Sequence, residues 1–415
     1  MATSSPISKT RRSPTMSRST ARATCLQSTR RRARTIRPTT ASPGSLPRSD
    51  RARRPGKLRR PALESRAARW SRSGYTGCVM MRRKGAAMTE DRLEAFRISA
   101  GGITAGVIPF GATLTELTVP GRAGPVGVVL GFNNSRSYRT HGAFFGAVVG
   151  RCANRIARGR ARIGGKDHQL DLNENGRTHL HGGSRGFFAR DWTVERVAAD
   201  SVLLSLVSPD GDQGYPGEVR ASCLYRVEPG RLVVELEART DRETLVNLAA
   251  HPYFNLDGGG NVLGHRLRIA ADAFTPVDAD NIPTGEIRTV AGSRFDFRQL
   301  RPIHREGELY EGYDHNFALA QKPRAASAFA ARIEAARSGV VMEVWTTEPG
   351  LQFYDGGGLP VCDMLRGGVP GVRFGGLCLE PQRFPDAVHH PGFPDAVLKP
   401  DERYRQITEY RFQVR

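Results

Sequence analysis

The chain has 415 residues, with 62 Lys and Arg against 41 Asp and Glu, a formal net charge of +21. The excess is confined to the first 88 residues, which hold 23 basic residues against Asp50 and Glu64; the remaining 327 hold 39 of each sign. The body of the chain therefore gives no electrostatic ground for binding nucleic acid or an anionic membrane surface, and no apolar run nears the roughly 20 residues that span a bilayer.

Residues 1–88 are Arg, Ser, Thr, Ala and Pro in no periodic order, without the apolar stretch of a secretory signal. Such a composition cannot bury enough surface to offset its ordering entropy, and disorder is expected. Three origins fit it: a basic tail, an Arg- and Ser-rich transit peptide, or a start assigned upstream of a true one at Met88. The balanced, patterned sequence that follows Met88 favours the last. Residues 89–415 read as one domain. The six cysteines, Cys25, Cys78, Cys152, Cys223, Cys362 and Cys378, form no CxxC pair, which fits a reducing, cytoplasmic setting.

Beyond Met88 the chain order is dominated by strand signals. Ala143 to Val149 is a short, Gly-flanked apolar run. Alternation with a period near two marks Trp192 to Val197, Ser201 to Val207, Glu218 to Val227 and, after a Pro229-Gly230 turn, Arg231 to Arg239. Val340 to Thr347 and Leu351 to Tyr354 repeat the pattern. Asp210 to Gly217 and Asp257 to Asn261 are turn-rich. The best amphipathic helical window is Ala325 to Ala336. Many strands at short spacing predict a large all-β sandwich.

Two motifs point elsewhere and lack their context. Gly182-Gly183-Ser184-Arg185-Gly186 matches the GxSxG elbow of serine hydrolases, but no helix start follows it. His179 and His181 fall on one face of an extended segment, yet the sequence supplies neither a third metal ligand nor a nucleotide loop. No cofactor or metal is expected.

Three segments combine proton-transfer groups with aromatics and glycines: Cys152 to Ile156 leading to Thr178 to Gly183; Val246 to Leu256; and Cys378 to Gln382. With Ile282 to Gly285, Gly312 to Phe317, Thr346 to Tyr354, Phe384 to Ala387 and Tyr404 to Phe412, they form an ordered series of blocks that resembles the aldose 1-epimerase (galactose mutarotase) family from about residue 92 to the C-terminus. The resemblance implies an all-β supersandwich with an open sugar cleft. It also implies Glu380 as general base, His251 as general acid, His181 assisting at the ring oxygen, and Asn154, Arg155, Tyr253, Asp314 and Gln352 holding sugar hydroxyls. Thr178, Ala250, Pro252, Asp355 and His389 depart from the family's usual residues; none is a proposed acid or base, and they bear on which sugar is preferred.

The chemistry wants such groups. Opening a hemiacetal ring requires one group to take the C1 hydroxyl proton while another protonates the ring oxygen; closing on the other face reverses the flow. A carboxylate and an imidazole suit this near neutrality. Phe353 or Trp345 is a candidate to cover the apolar face of the sugar. Structural roles stay open for each residue: a satisfied core histidine for His251, a turn for His181 and Asp314, a surface charge for Arg155. Glu380, next to the apolar run Gly376 to Leu379, is the hardest to read that way, because a carboxylate so placed is costly unless paired or functional. A sugar-phosphate epimerase and a non-catalytic carbohydrate binder are the alternatives. No nucleic-acid or membrane partner is expected.

Overall fold

The computed structural model describes residues 93–304, 307, 309–359, 361 and 365–415. The basic segment, Met88 as a domain start, and Cys25, Cys78 and Cys362 lie outside the described residues. The described chain opens with an antiparallel meander, β1 (Phe96–Ala100), β2 (Ile103–Ile108), β3 (Thr113–Gly121) and β4 (Gly124–Gly127). A single α-helix among the described residues, Ser135–Thr140, follows; Asn134 caps it by accepting from the Ser137 N–H at 2.8 Å. Then come β5 (Val148–Val149), β6 (Arg155–Ile156), a hairpin of β7 (Arg160–Ile163) and β8 (Lys166–Gln169), and β9 (His179–Leu180). A long meander follows: β10 (Thr193–Val197), β11 (Ser201–Ser208), β12 (Val219–Glu228) and β13 (Arg231–Thr240). Shorter elements succeed it: β14 (Thr244–Leu245), β15 (Ala249–Ala250), β16 (Arg266–Ile269), β17 (Ala273–Thr275), β18 (Arg288–Thr289), β19 (Arg301–Pro302) and β20 (Asp314–Ala318). The chain ends with β21 (Ala328–Glu334), β22 (Val340–Thr346), β23 (Gly350–Tyr354), β24 (Cys378–Gln382), β25 (Val397–Leu398) and β26 (Tyr404–Val414).

These strands form a nine-stranded antiparallel sheet in the order β10-β11-β12-β13-β26-β22-β21-β16-β19 and a five-stranded sheet in the order β18-β17-β20-β23-β24. The expected all-β architecture is what the chain adopts, and the six strands read from alternation each lie within one residue of an observed strand at both ends. The period-two pattern has a direct cause. In β12 the residues Val219, Ala221, Cys223, Tyr225 and Val227 are buried and their neighbours are not, and each buried apolar side chain contributes roughly 1.5–3 kcal/mol. This face takes the first meander: β1 packs on β11 and β12, and β3 on β26. Pro229-Gly230 closes a two-residue hairpin between paired Glu228 and Arg231, with Gly230 at φ 78°.

The helical window Ala325 to Ala336 is a correction. It is strand β21, paired to β16 on one side and β22 on the other. Alanine favours helix locally, but two ladders and the small buried side chains of Ala330 and Ala331 outweigh that preference. The GxSxG stretch is a glycine turn. Gly182 has φ 90°, and a Cβ there would stand 1.7 Å from the Gly150 carbonyl oxygen. Only a single 3-10 turn, Phe187–Ala189, follows it.

The loop that carries the site is anchored from behind by Arg151, buried at 2% exposure. Its Nε donates to Ser208 Oγ at 2.9 Å, Nη1 to the Pro216 carbonyl at 3.0 Å, and Nη2 to the Ser208 and Pro209 carbonyls at 3.0 and 2.8 Å. Asn247 joins this loop to the other site segments. Its N–H reaches the Arg151 carbonyl at 2.8 Å, its carbonyl takes the Ala153 N–H at 2.6 Å, and its side chain bonds the backbone of Arg383 just past β24. Replacing Arg151 by Ala leaves those buried carbonyls without a donor. The expected cost is about 3–5 kcal/mol, read as a lower urea midpoint with an unchanged slope.

Candidate active site

Strand pairing brings the carboxylate to its place. In the five-stranded sheet Asn316 is opposite Gln352, and Gln352 is opposite Glu380, so these three polar side chains share one face. His251 arrives from another direction. It lies just past β15, whose partner is β5, and its N–H and carbonyl are held by Ala147 and Gly146 at 2.9 and 3.0 Å. The two meet with His251 Nε2 3.6 Å from Glu380 Oε2, both side chains at 5% exposure or less. Glu380 Oε2 has no hydrogen-bond partner among the described residues.

Burial decides the charges of this pair. It pushes the Glu380 carboxyl well above the usual carboxylate range, with Asp314 adding to the rise and Arg155 opposing it. It lowers His251 to about 4, against the pull of a hydrogen bond to its own backbone and of Asp314. Sequence reasoning gave the proton to the histidine through Asp314. At His251 desolvation outweighs Asp314 and favours the neutral imidazole.

His181 follows β9, which pairs with β6, and its ring meets that of His251 edge-on with centroids 5.3 Å apart. Its Nδ1 accepts from the Asn154 N–H at 3.1 Å. The proton of the neutral ring is therefore on Nε2. Burial, with His251, Arg155 and His179 adding to it, holds His181 well below the ordinary imidazole value, so it is a neutral donor. Phe144 stands over both imidazoles, 4.6 Å from His181 and 5.8 Å from His251 between ring centroids. It is half-buried at φ 56°, a conformation costly for a bulky residue.

A polar chain runs beside the pair. Thr178 Oγ1 donates to Glu174 Oε2 at 2.6 Å. Glu174 takes Arg155 Nε and Nη2 in a two-pronged bond, both at 2.8 Å. Arg155 Nη1 lies 3.5 Å from Asp314 Oδ2, and Asp314 Oδ1 accepts from Gln352 Nε2 at 2.6 Å. Burial opposes ionisation of Glu174, but its bonds to Arg155 and Thr178 hold it below the usual range. Asn154 turns the chain at φ 59°, and its Oδ1 accepts from the Arg155 N–H at 2.9 Å. Glu174 was not singled out from the sequence. Its cue is Thr178, a departure from the family pattern that supplies a hydroxyl to this carboxylate.

Other expectations are corrected. Phe353 is fully buried and faces away from Gln352, stacked on Tyr313, as alternation along β23 requires. Trp345 sits on β22 beneath Arg411. The aromatic beside the histidines is Phe144. Tyr253 is buried behind His251, 5.1 Å between ring centroids, and hydrogen-bonds the Cys378 sulfur. His179 and His181 do not converge: the His179 ring is tied to the Asp171 carbonyl at 2.7 Å and the Tyr215 hydroxyl at 2.6 Å. Asp355 is a turn residue that accepts from the N–H of Tyr313 and of Gly357, both at 2.8 Å. A different trio, His251, Cys378 and Glu380, brings donor atoms within 4.8 Å of one another. Burial, reinforced by Glu380, raises the Cys378 thiol well above its ordinary value. Among the described residues no helix is long and apolar enough to cross a membrane.

The site thus joins a buried carboxyl–imidazole pair, a second imidazole and a row of hydrogen-bonding polar groups on an all-β scaffold. The aldose 1-epimerase family profile matches residues 94–411. The galactose mutarotase of Bos taurus is 44% identical over 329 residues, covering 78% of this chain and 94% of its own. The aldose 1-epimerase of Escherichia coli K12 is 38% identical over 335 residues, covering 77% and 95%. Among solved structures, the GalM/aldose epimerase homologue from C. elegans superposes with a TM-score of 0.73 at 32% identity, covering 77% of this chain and 99% of that one. The galactose 1-epimerase from Lactobacillus acidophilus NCFM gives 0.65 at 28%, covering 76% and 92%. The chain belongs to the aldose 1-epimerase family, isomerases that interconvert the anomers of a free aldose.

The Glu174 clamp generates a test. Glu174→Ala frees two prongs of Arg155 and leaves Glu380 and His251 in place. KM for the sugar is expected to rise by roughly 10–150-fold, the scale of one lost charged hydrogen bond, and kcat to shift as well because Arg155 acts on Glu380; initial-rate polarimetry separates the two.

Proposed function

We propose that Glu380 and His251 are the base and acid of anomer interconversion, that His181 donates a fixed hydrogen bond on the ring-oxygen side, and that Asn154, Arg155, Asp314 and Gln352 bind sugar hydroxyls. The observation that carries this reading is the buried, unpartnered Glu380 oxygen 3.6 Å from His251 Nε2. A polar atom left so is costly unless a ligand completes it. Tyr253, behind His251, acts on the sugar through that ring.

The pair carries one proton through the cycle. When a closed sugar binds, its hydroxyls solvate the carboxylate and the proton crosses from Glu380 to His251 Nε2. Ring opening then moves the C1 hydroxyl proton to Glu380 while the imidazolium protonates O5. The exposed carbonyl turns about the C1–C2 bond. Ring closure returns the O5 hydroxyl proton to His251 as Glu380 protonates the carbonyl oxygen, giving the other anomer. Opening ends with a neutral carboxyl and a neutral imidazole, the forms that burial favours. Each transfer is worth roughly 10²–10⁴-fold.

The substrate reading favours neutral hexoses such as galactose or glucose over sugar phosphates. The Arg155 guanidinium is already shared by two carboxylates, Glu174 and Asp314, which leaves it no surplus positive charge to hold a phosphate dianion. The galactose mutarotase names of the relatives point the same way. Residues 89–415 are sufficient for activity, and the free buried thiols Cys152, Cys223 and Cys378 suit a reducing cytoplasm.

Polarimetry on freshly dissolved α-galactose and α-glucose reads the activity. Glu380→Gln should lower kcat by about 10²–10⁴-fold while circular dichroism stays unchanged; retention of kcat would remove Glu380 from the base role. The pH profile follows from the shifts. The one-proton pair is lost on the acid side only when His251 also protonates, near its lowered value of about 4, and on the basic side only above the raised value of Glu380. The kcat/KM plateau is expected to reach well below the ordinary imidazole value of about 6.5. A chain beginning at Met88 should match the kcat of the full chain.

A further inference from the structure

We propose that Cys378, backed by Tyr253, is a positioning residue that holds His251 in its Nδ1–H tautomer and so reserves Nε2 for the proton that cycles. The inference rests on the assignment of His251 as the acid and adds to it which nitrogen does the work and what keeps it so.

Cys378 and Glu380 lie two residues apart on β24, so their side chains project from the same face of the strand. Both reach the imidazole from that strand, the sulfur 3.5 Å from Nδ1 and a carboxylate oxygen 3.6 Å from Nε2, with the donor atoms of the three residues within 4.8 Å of one another. An imidazole that takes a proton at Nε2 from Glu380 and gives it to a sugar oxygen must keep its lone pair there when neutral. Its resident proton is then on Nδ1. Two acceptors face that proton, the Cys378 sulfur and the backbone carbonyl of His251 itself. Tyr253 completes the arrangement by hydrogen-bonding the sulfur, and its ring lies against the imidazole.

A thiol suits this position because it accepts weakly and stays uncharged. A carboxylate at Nδ1 would hold the imidazolium and retard its donation to O5. The sulfur orients the ring without paying for its charge, which leaves the proton free to move between Glu380 and substrate. His181 is the control built into the same site. There a backbone N–H points at Nδ1, the opposite tautomer is enforced, and Nε2–H is a permanent donor. Two adjacent imidazoles are thus set to different tasks by what touches Nδ1: an acceptor for the one that transfers a proton, a donor for the one that does not.

The experiment compares Cys378→Ala and Cys378→Ser in the full chain, with Cys223→Ala, an equally buried thiol on β12, as the control for loss of a buried sulfur. In Cys378→Ala kcat should fall about tenfold, the equivalent of one hydrogen bond to a group that becomes charged. KM should stay within about twofold and the acid limb of the kcat profile should move to lower pH, because the imidazolium loses an acceptor. Cys378→Ser, which restores an acceptor, should recover most of kcat and return the limb. Cys223→Ala should leave both unchanged. Imidazole ¹⁵N spectra, with the His251 signals identified by their loss in His251→Asn, should show the proton on Nδ1 in the unsubstituted protein and a tautomer mixture in Cys378→Ala. A folded Cys378→Ala with unchanged kcat and acid limb, a Cys378→Ser no better than Ala, or an Nε2–H signal in the unsubstituted protein would each overturn the proposal. His251→Asn with undiminished kcat would instead overturn the acid assignment on which it stands.

Discussion

A carboxyl and an imidazole, those of Glu380 and His251, are buried against each other, and most of the structure around them serves that confinement. In water Glu380 would be ionised and His251 partly protonated, two separate groups with values about two units apart. At 3.6 Å, with neither exposed, both are shifted first by desolvation. Desolvation penalises the charged forms of both, so the neutral–neutral state gains on the zwitterion, and the gap between the two arrangements narrows to what a sugar's hydroxyls can tip. A catalyst that must run a reaction in both directions needs that near balance, since a proton bound firmly to either partner blocks one of the two half-reactions.

The balance depends on elements distant in sequence. Glu380 is fixed by a ladder within the five-stranded sheet, whereas His251 and His181 come from two-residue strands paired with β5 and β6. Short strands of this kind have little stability of their own. They are held by Asn247, which ties the His251 segment to both the Asn154 loop and the end of β24, and by the Arg151 side chain behind them. The large sheet contributes no acid or base. Its role is to bury the apolar area that makes such loop geometry affordable, and its outer face carries crossed ion pairs such as Arg332 with Glu334 and Glu343.

Much of this was legible in the sequence because its causes are local. Alternation marks strands with one buried face, which is why the β10 to β13 meander and β22 and β23 were found to within a residue. Ala325 to Ala336 failed because alanine's helical preference is small beside two ladders. At the site, polar residues beside apolar runs stood out by type, as with Glu380 after Leu379 and His251 after Ala250. What the sequence withheld was orientation. Phe353 and Phe144 are equally aromatic on paper; only strand parity turns the first away from Gln352, and only an unusual positive φ turns the second over the histidines. Glu174 was missed for a related reason: a carboxylate in a Gly- and Asn-rich loop reads as solvated surface until a fold places Arg155 opposite it.

The sign of the pKa shifts is the point at which residue types mislead most. By composition an aspartate near a histidine argues for a raised imidazole, and Asp314 does pull His251 that way. But Asp314 spends its charge elsewhere, on Arg155 and Gln352, and what reaches His251 is weaker than the desolvation of a fully enclosed ring. The same Asp314 pushes Glu380 up, so one carboxylate at the rim moves both members of the pair toward a proton. Arg155 counters it, lowering Glu380 and His181. The polar chain from Thr178 to Gln352 is therefore more than a hydroxyl-binding rim. By fixing where the guanidinium and the carboxylate of residues 155 and 314 stand, it sets the field that acts on residues 380 and 251, so that under the proposed roles sugar binding and the electrostatics of the pair would rest on the same hydrogen bonds.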